Sequence, residues 1–531
     1  MSRYRQDIKY WEVWNEPNIG FFSGTIGQYV DLLKAAAVVA RKADPACHIV
    51  FGGTAGVDHR FIERCYELGA EPYFDVMAVH PYQWGPIFND TWNEMKVRTL
   101  RALMDRFDSV PKPIWFTELG WSTGQGLNND DQARLLVQGF VSSLALRDAG
   151  VAKVFWYTVK DWGGPGYGIF AEDGSRKPAF AAYQVMTREL EELVHSARLQ
   201  TGDVRAHLFV DPRGLRPPVL VYWSPTLESL SLRLPALGPM AQVDQLGAEE
   251  HPSGRQREEL LAAPEPRYLR LQAGAEQQLW AAGLLAASSR PPGYRQAPHT
   301  PPPPLCWASL QAQAGTERLW LIPGEKAQVR VNLWNLDDRP RAARLALTLL
   351  GVSQVASEIL PAWAMHPVTV TLPVAANAPL GLTPLEVALE LPGIRGAAGR
   401  VVYSTPVRLA AGPTVEFLAN SYLERSVYLQ PGARSGESES CRFGSEWTYK
   451  FEAPFACNAQ LGAYLGAHMA GPFRVDWSLD GQNWRTVLEG HGDRTRREAR
   501  LGGVQPGPVH VRVSGTDAQL EELVLTWPRP R

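Results

Sequence analysis

The sequence predicts a multidomain protein: an α/β domain followed by all-β sandwich domains. Three observations carry that reading. Residues 1–190 alternate short apolar runs with amphipathic stretches of helical period. Past Thr201 the helical period vanishes, and short alternating strands separated by Gly, Pro, Asn and Asp turns replace it. Residues 290–305, RPPGYRQAPHTPPPPL, form a proline-dense spacer between two β-rich blocks. A chain of 531 residues has room for three or four domains.

In the first region the expected strands are 10–14, 49–52, 76–79, 114–117 and 154–158. The expected helices are 26–42, 60–68, 92–107, 130–149 and 179–194. Strand–helix alternation implies parallel strands joined by crossover helices. The strands are apolar with little alternation, as befits a sheet covered on both faces. This gives boundaries of 1–194 for the α/β domain and 195–289 for a small sandwich packed on it. The spacer at 290–305 then leads to an immunoglobulin-like sandwich over 306–412. A second sandwich, over 413–531, includes FRVDWSLDGQNWRTVLEG, an apolar strand, an Asp-Gly turn and a second strand. That hairpin resembles those of discoidin-like carbohydrate-binding sandwiches. Trp477 and Trp484 within it are expected to pack the core rather than bind sugar.

Composition narrows the function. The formal net charge is −2, so no global field favours nucleic acid or an anionic membrane. No apolar run reaches the roughly 20 residues that span a bilayer. The five cysteines fit no zinc or redox spacing. Cys47 and Cys65 are expected to be buried thiols, and the pairing of Cys441 with Cys457 is left open. His48, His59 and His80 form no metal-ligand pattern, and no cofactor is expected. The 18 tryptophans serve large cores first, but an indole face also packs well on the C–H face of a sugar.

Two motifs carry chemistry. In KYWEVWNEPN an apolar strand ends at Asn15-Glu16-Pro17, and Pro17 cannot continue a ladder. In KPIWFTELGWST a second apolar strand ends at Glu118. Three strand–helix units fit between them, so both carboxylates are expected at the C-terminal ends of parallel strands, where α/β barrels carry their active sites.

Together these motifs resemble clan A glycoside hydrolases, the large (β/α)8 group, with WEVWNEPN closer to family 39 and TELGW closer to family 5. The resemblance covers about residues 7–190. It implies a retaining O-glycoside hydrolase acting on a polysaccharide or oligosaccharide. Glu118 would be the nucleophile, Glu16 the acid/base and Asn15 a hydrogen-bond partner of the sugar 2-hydroxyl. By the same resemblance His80 and Tyr82 of AVHPYQWGP line the site. Trp156 of VFWYTVKDW would be the sugar platform, with Trp84, Trp121 and Trp162 as further subsite aromatics. No metal is implied.

A complete barrel takes typically about 250 residues and eight strands. Only five strands precede the all-β region. The domain is therefore expected to be an incomplete TIM barrel, its last five strand–helix units, and the chain alone is expected to fold poorly or lack activity. Relatives with trailing sandwiches are often exported, which implies an extracellular or cell-surface setting, although no signal region stands in this chain. The rival reading is a non-catalytic carbohydrate-binding or cell-surface protein that works through its C-terminal sandwich. Loss of one glutamate would have marked it, and both are present.

Overall fold

The computed structural model describes residues 3–529, apart from 125, 165, 236, 238–239, 251–257, 286–302, 395–396, 420, 431–446, 467–471, 492–494 and 516–518. Cys441 and most of the proline-rich spacer lie outside the described residues, and so does the question of a Cys441–Cys457 pair. The chain forms two compact units, Met1–Asp75 with His299–Arg531, and Val76–Pro298.

The first unit opens with β1 (Tyr10–Glu12), which pairs in parallel with β2 (His48–Val50). Between them runs α1 (Ile26–Ala43). Thr25 caps this helix and closes a capping box with Gln28, which satisfies two otherwise orphaned amides. A short β3 (Thr54–Ala55) precedes α2 (His59–Glu67), which Asp58 caps through Phe61 N. Cys47 and Cys65 are buried thiols, as expected.

This segment packs onto two sandwiches within its own unit. One has a three-stranded sheet (Cys306–Leu310, Lys326–Asn335, Ala364–Pro373) and a five-stranded sheet that includes Gly381–Glu390 and Arg400–Leu409. The other has two four-stranded sheets. The first runs in the order Thr414–Leu418, Gln519–Thr526, Cys457–Gly466, Arg496–Val504. The second includes the expected hairpin, Pro472–Ser478 paired antiparallel with Arg485–His491. Asp480 holds its turn by accepting from Gln482 N and Asn483 N at 2.8 and 2.7 Å, and Gly481 supplies φ +72°. Trp477 is buried in the sandwich core. Trp484 is half-buried beneath the Arg512 guanidinium, 4.3 Å from its ring centroid.

Charges are buried where α2 meets these sheets. Arg64 bonds Glu67 at 3.0 Å and the Glu317 carbonyl at 2.8 Å. Arg318 reaches Glu67 and Glu416, and Arg408 reaches Glu416 at 2.7 Å and Glu522 at 3.1 Å. Buried charges are tolerable when each finds its opposite. The two arginines hold the Glu416 carboxyl far below the usual carboxylate range despite complete burial. Nearby, the Lys34 ammonium is fully buried and lies 5.5–5.9 Å from the Tyr73, Trp307 and Tyr403 rings. It donates to Leu68 O at 2.7 Å.

The second unit holds a parallel sheet of β4 (Met77–His80), β5 (Ile114–Leu119) and β6 (Val151–Trp156). Its helices are α3 (Asp90–Phe107), α4 (Asn129–Leu144) and α5 (Pro178–Leu190). A six-stranded antiparallel sheet follows. Strand alternation sends Phe209, Val219, Val221, Trp223 and Tyr268 against α4 and α5, and Leu208, Leu220, Tyr222 and Leu269 into the core on the sheet's other side. No helix of the described residues is long and apolar enough to cross a membrane.

Candidate active site

In the first unit the chain leaves β1 through Trp14, Asn15 and Glu16. Trp14 and Glu16 both sit at positive φ, +77° and +46°. A side chain there costs roughly 1–3 kcal/mol and persists only where the surroundings over-determine it. Two restraints are visible. Glu16 N donates to Gly53 O at 2.8 Å, next to the bridge between Asn15 and Gly53. Asn18, buried just past Pro17, exchanges both amide bonds with Ala55 (3.0 and 2.9 Å) and donates to Asp58 at 3.1 Å. The result is a buried Glu16 carboxylate beside an exposed Asn15. Trp14 is half-exposed, and its indole N–H donates to Phe21 O.

In the second unit three candidates converge. Glu118 lies near the C-terminal end of β5, with a quarter of its side chain exposed. The Tyr82 hydroxyl donates to Glu118 Oε2 at 2.9 Å. His80, at the end of β4, is 1% exposed, with Nδ1 3.7 Å from the same oxygen and Nε2 3.1 Å from Thr117 Oγ1. Tyr82 is in turn stacked on Trp84 (6.2 Å, 15°) and meets Tyr167 edge-on. Gln83 staples the Trp84 loop by bonding both backbone groups of Asn89. One carboxylate thus faces solvent with one oxygen fixed by a phenol, the arrangement an attacking oxygen needs.

The tryptophans divide. Trp84 and Trp162 are 51% and 68% exposed and offer open ring faces. Trp121 and Trp156 do not stand with them. Trp121 is 2% exposed, edge-on to Phe88 and packed against Trp156. Trp156 also lies against Phe140 and donates to Tyr167 O at 2.9 Å. The physical reason is pleat parity: strand residues alternate sides, so Trp156 points to α4 while Tyr157 meets Tyr167 and Trp162. Trp121 is thus buried in a core, and Trp156 packs against that core while partly exposed.

Residues 9–183 match the family model of the glycosyl hydrolase catalytic core. No curated protein matches the chain. Among solved structures, it is similar to a family 39 glycoside hydrolase from the gut symbiont Bacteroides cellulosilyticus WH2, at 23% identity and TM-score 0.44, over 51% of this chain and 59% of that one. A GH30 endoxylanase from Clostridium papyrosolvens C71 is similar at 13% identity and TM-score 0.36, over 51% and 71%. A monomeric β-xylosidase from Caulobacter crescentus CB15 is similar at 18% identity and TM-score 0.34, over 49% and 69%. The chain therefore spans less than two thirds of the first of these structures.

Within the matched segment, several supporting residues escape sequence reading. Asp161 and Lys177 form a buried pair at 3.0 Å, and Asp161 also accepts from Gly168 N. Gln132 donates to Trp121 O and Gly166 O. These bonds anchor the loop that carries Trp162. No local motif announces them, because each joins residues of separate elements. Asn18 is the exception in principle: an Asn directly after a Glu-Pro that follows a strand is a turn residue with a reason to be there.

Proposed function

We propose that the chain is a retaining O-glycoside hydrolase that works by double displacement on an oligosaccharide or polysaccharide. The observation that carries this reading is the Tyr82–Glu118 hydrogen bond at the end of a parallel strand, inside a segment that matches a glycosyl hydrolase core. Glu118 attacks the anomeric carbon through the oxygen that Tyr82 leaves open, and a glycosyl ester forms. Glu16, protonated at first, gives its proton to the leaving oxygen. It then takes a proton from the water that releases the sugar. The strained backbone at Glu16 supports its role, since such strain is retained where it serves a site. Asn15 bonds the sugar 2-hydroxyl, and Trp84 and Trp162 offer faces to neighbouring sugars. No step calls on a metal or cofactor.

The test is the anomer released first from a panel of aryl glycosides, followed by proton NMR. Retention is expected, while an inverted first product overturns the mechanism. Glu118→Ala should abolish turnover, and azide should restore it with a glycosyl azide of inverted configuration. For Glu16→Ala, the azide product should keep its configuration.

A further inference from the structure

The outward face of the first sheet of the C-terminal sandwich is only partly covered. Pairing aligns Thr414, Thr526, Gln460 and Arg500 in one row across its four strands. Glu416, Val524, Gly462 and Glu498 form the next row, and Glu522, Tyr464 and Arg496 belong to a third. One side is sealed: Arg408 binds Glu416 and Glu522, and Arg60 lies 4.0 Å over the Tyr464 ring. Toward the edge strand Arg496–Val504 a cleft of about 440 Å³ stays open, and Leu380, Gly381 and Leu409 of the neighbouring sandwich wall its other side.

Arg496, Glu498 and Arg500 project into this cleft in alternation of charge. Arg496 pairs with Glu498 at 3.1 Å. Arg500 and Gln460 make no side-chain hydrogen bond or ion pair with any described residue. Gly462 keeps the floor low, since a Cβ there would stand 2.8 Å from the Arg496 guanidinium. A free anion would meet Glu498, and a cation would meet two arginines. A neutral polyol satisfies both signs, because each hydroxyl donates to a carboxylate and accepts from a guanidinium. The volume is that of a small-ligand site, and no aromatic ring lines it. Recognition there would run through hydroxyl edges, which suits a short soluble chain rather than a flat polymer surface.

We propose that this cleft is a second saccharide site, separate from the catalytic one, that holds a short neutral oligosaccharide through Arg500, Gln460, Glu498 and Arg496. The choice of a sugar rests on the glycosidase reading; the cleft and its unspent donors do not. The test uses the full chain with Glu118→Gln to prevent turnover, titrated calorimetrically with short xylo-, manno- and cello-oligosaccharides. At least one series should bind at a second equivalent. Arg500→Ala and Gln460→Ala, both at exposed positions, should each weaken that equivalent about tenfold or more. In chains with Glu118 intact, the same two substitutions should leave aryl glycoside hydrolysis unchanged. A single equivalent in every series, or a second one that neither substitution weakens, overturns the cleft. Absent hydrolysis with an intact second equivalent would instead overturn the catalytic reading alone.

Discussion

Tyr82→Phe isolates one hydrogen bond. The substitution removes the hydroxyl that donates to Glu118 Oε2 at 2.9 Å and keeps the ring that stacks on Trp84 and meets Tyr167. Packing is preserved, so stability should barely change. The lost bond is to a charged acceptor, worth about 1.5–3 kcal/mol. If it holds the nucleophile in its attacking position, that energy appears in the barrier. At about 1.4 kcal/mol per tenfold, kcat/KM should fall roughly 10- to 150-fold. His80 Nδ1, 3.7 Å from the same oxygen, is too far to replace the phenol. The assay is steady-state hydrolysis of the best aryl glycoside, with thermal melting as control. A loss of less than about twofold at unchanged melting temperature would refute the assignment of Tyr82 as the residue that positions Glu118.

Three further outcomes follow from buried charge. Glu416→Ala would leave Arg318 and Arg408 short of their shared partner, and should destabilise the first unit by about 3–5 kcal/mol in urea titration. Acid should weaken the second unit through two histidines. Burial pushes the His195 imidazole down to about 4, and burial, with His195 and two arginines beside it, holds His207 well below its ordinary value. Both stay neutral in the folded chain and bind protons on unfolding. Their penalty is therefore absent above pH 6.5 and grows as pH falls from 6.5 toward 4, by roughly 3 kcal/mol for His195. Melting temperature between pH 7 and 4.5 reports it, and His195→Gln should flatten the slope. Lys177→Met should strand the buried Asp161 carboxylate and loosen the Trp162 loop. KM should rise more than kcat falls, whereas equal effects would mean that the loop serves the chemical step itself.

Much was legible in the linear chain because its causes are local. The five expected strands of the first region form at Tyr10–Glu12, His48–Val50, Met77–His80, Ile114–Leu119 and Val151–Trp156, each within a few residues of its apolar run. The helices follow their caps: Asn128 starts α4 with a capping box, and Pro178 stands in the first turn of α5. The Asp-Gly turn of the last sandwich forms as read, since its geometry depends on adjacent residues alone.

By itself, then, the sequence located the strands to within a few residues, with Glu16 just beyond the end of β1 and Glu118 near the end of β5, because apolar period, Pro17 and turn chemistry act over a few bonds. Only the tertiary structure decided which groups meet. Tyr82 rather than a tryptophan touches Glu118, Trp121 fills a core with Trp156 packed against it, and Arg64 shares Glu67 with Arg318, some 250 residues away in the chain, while Arg318 and Arg408 share Glu416. The physical reason is direction. A side chain's aim depends on pleat parity and on the approach of distant elements, and neither is written in the spacing of residues along one strand.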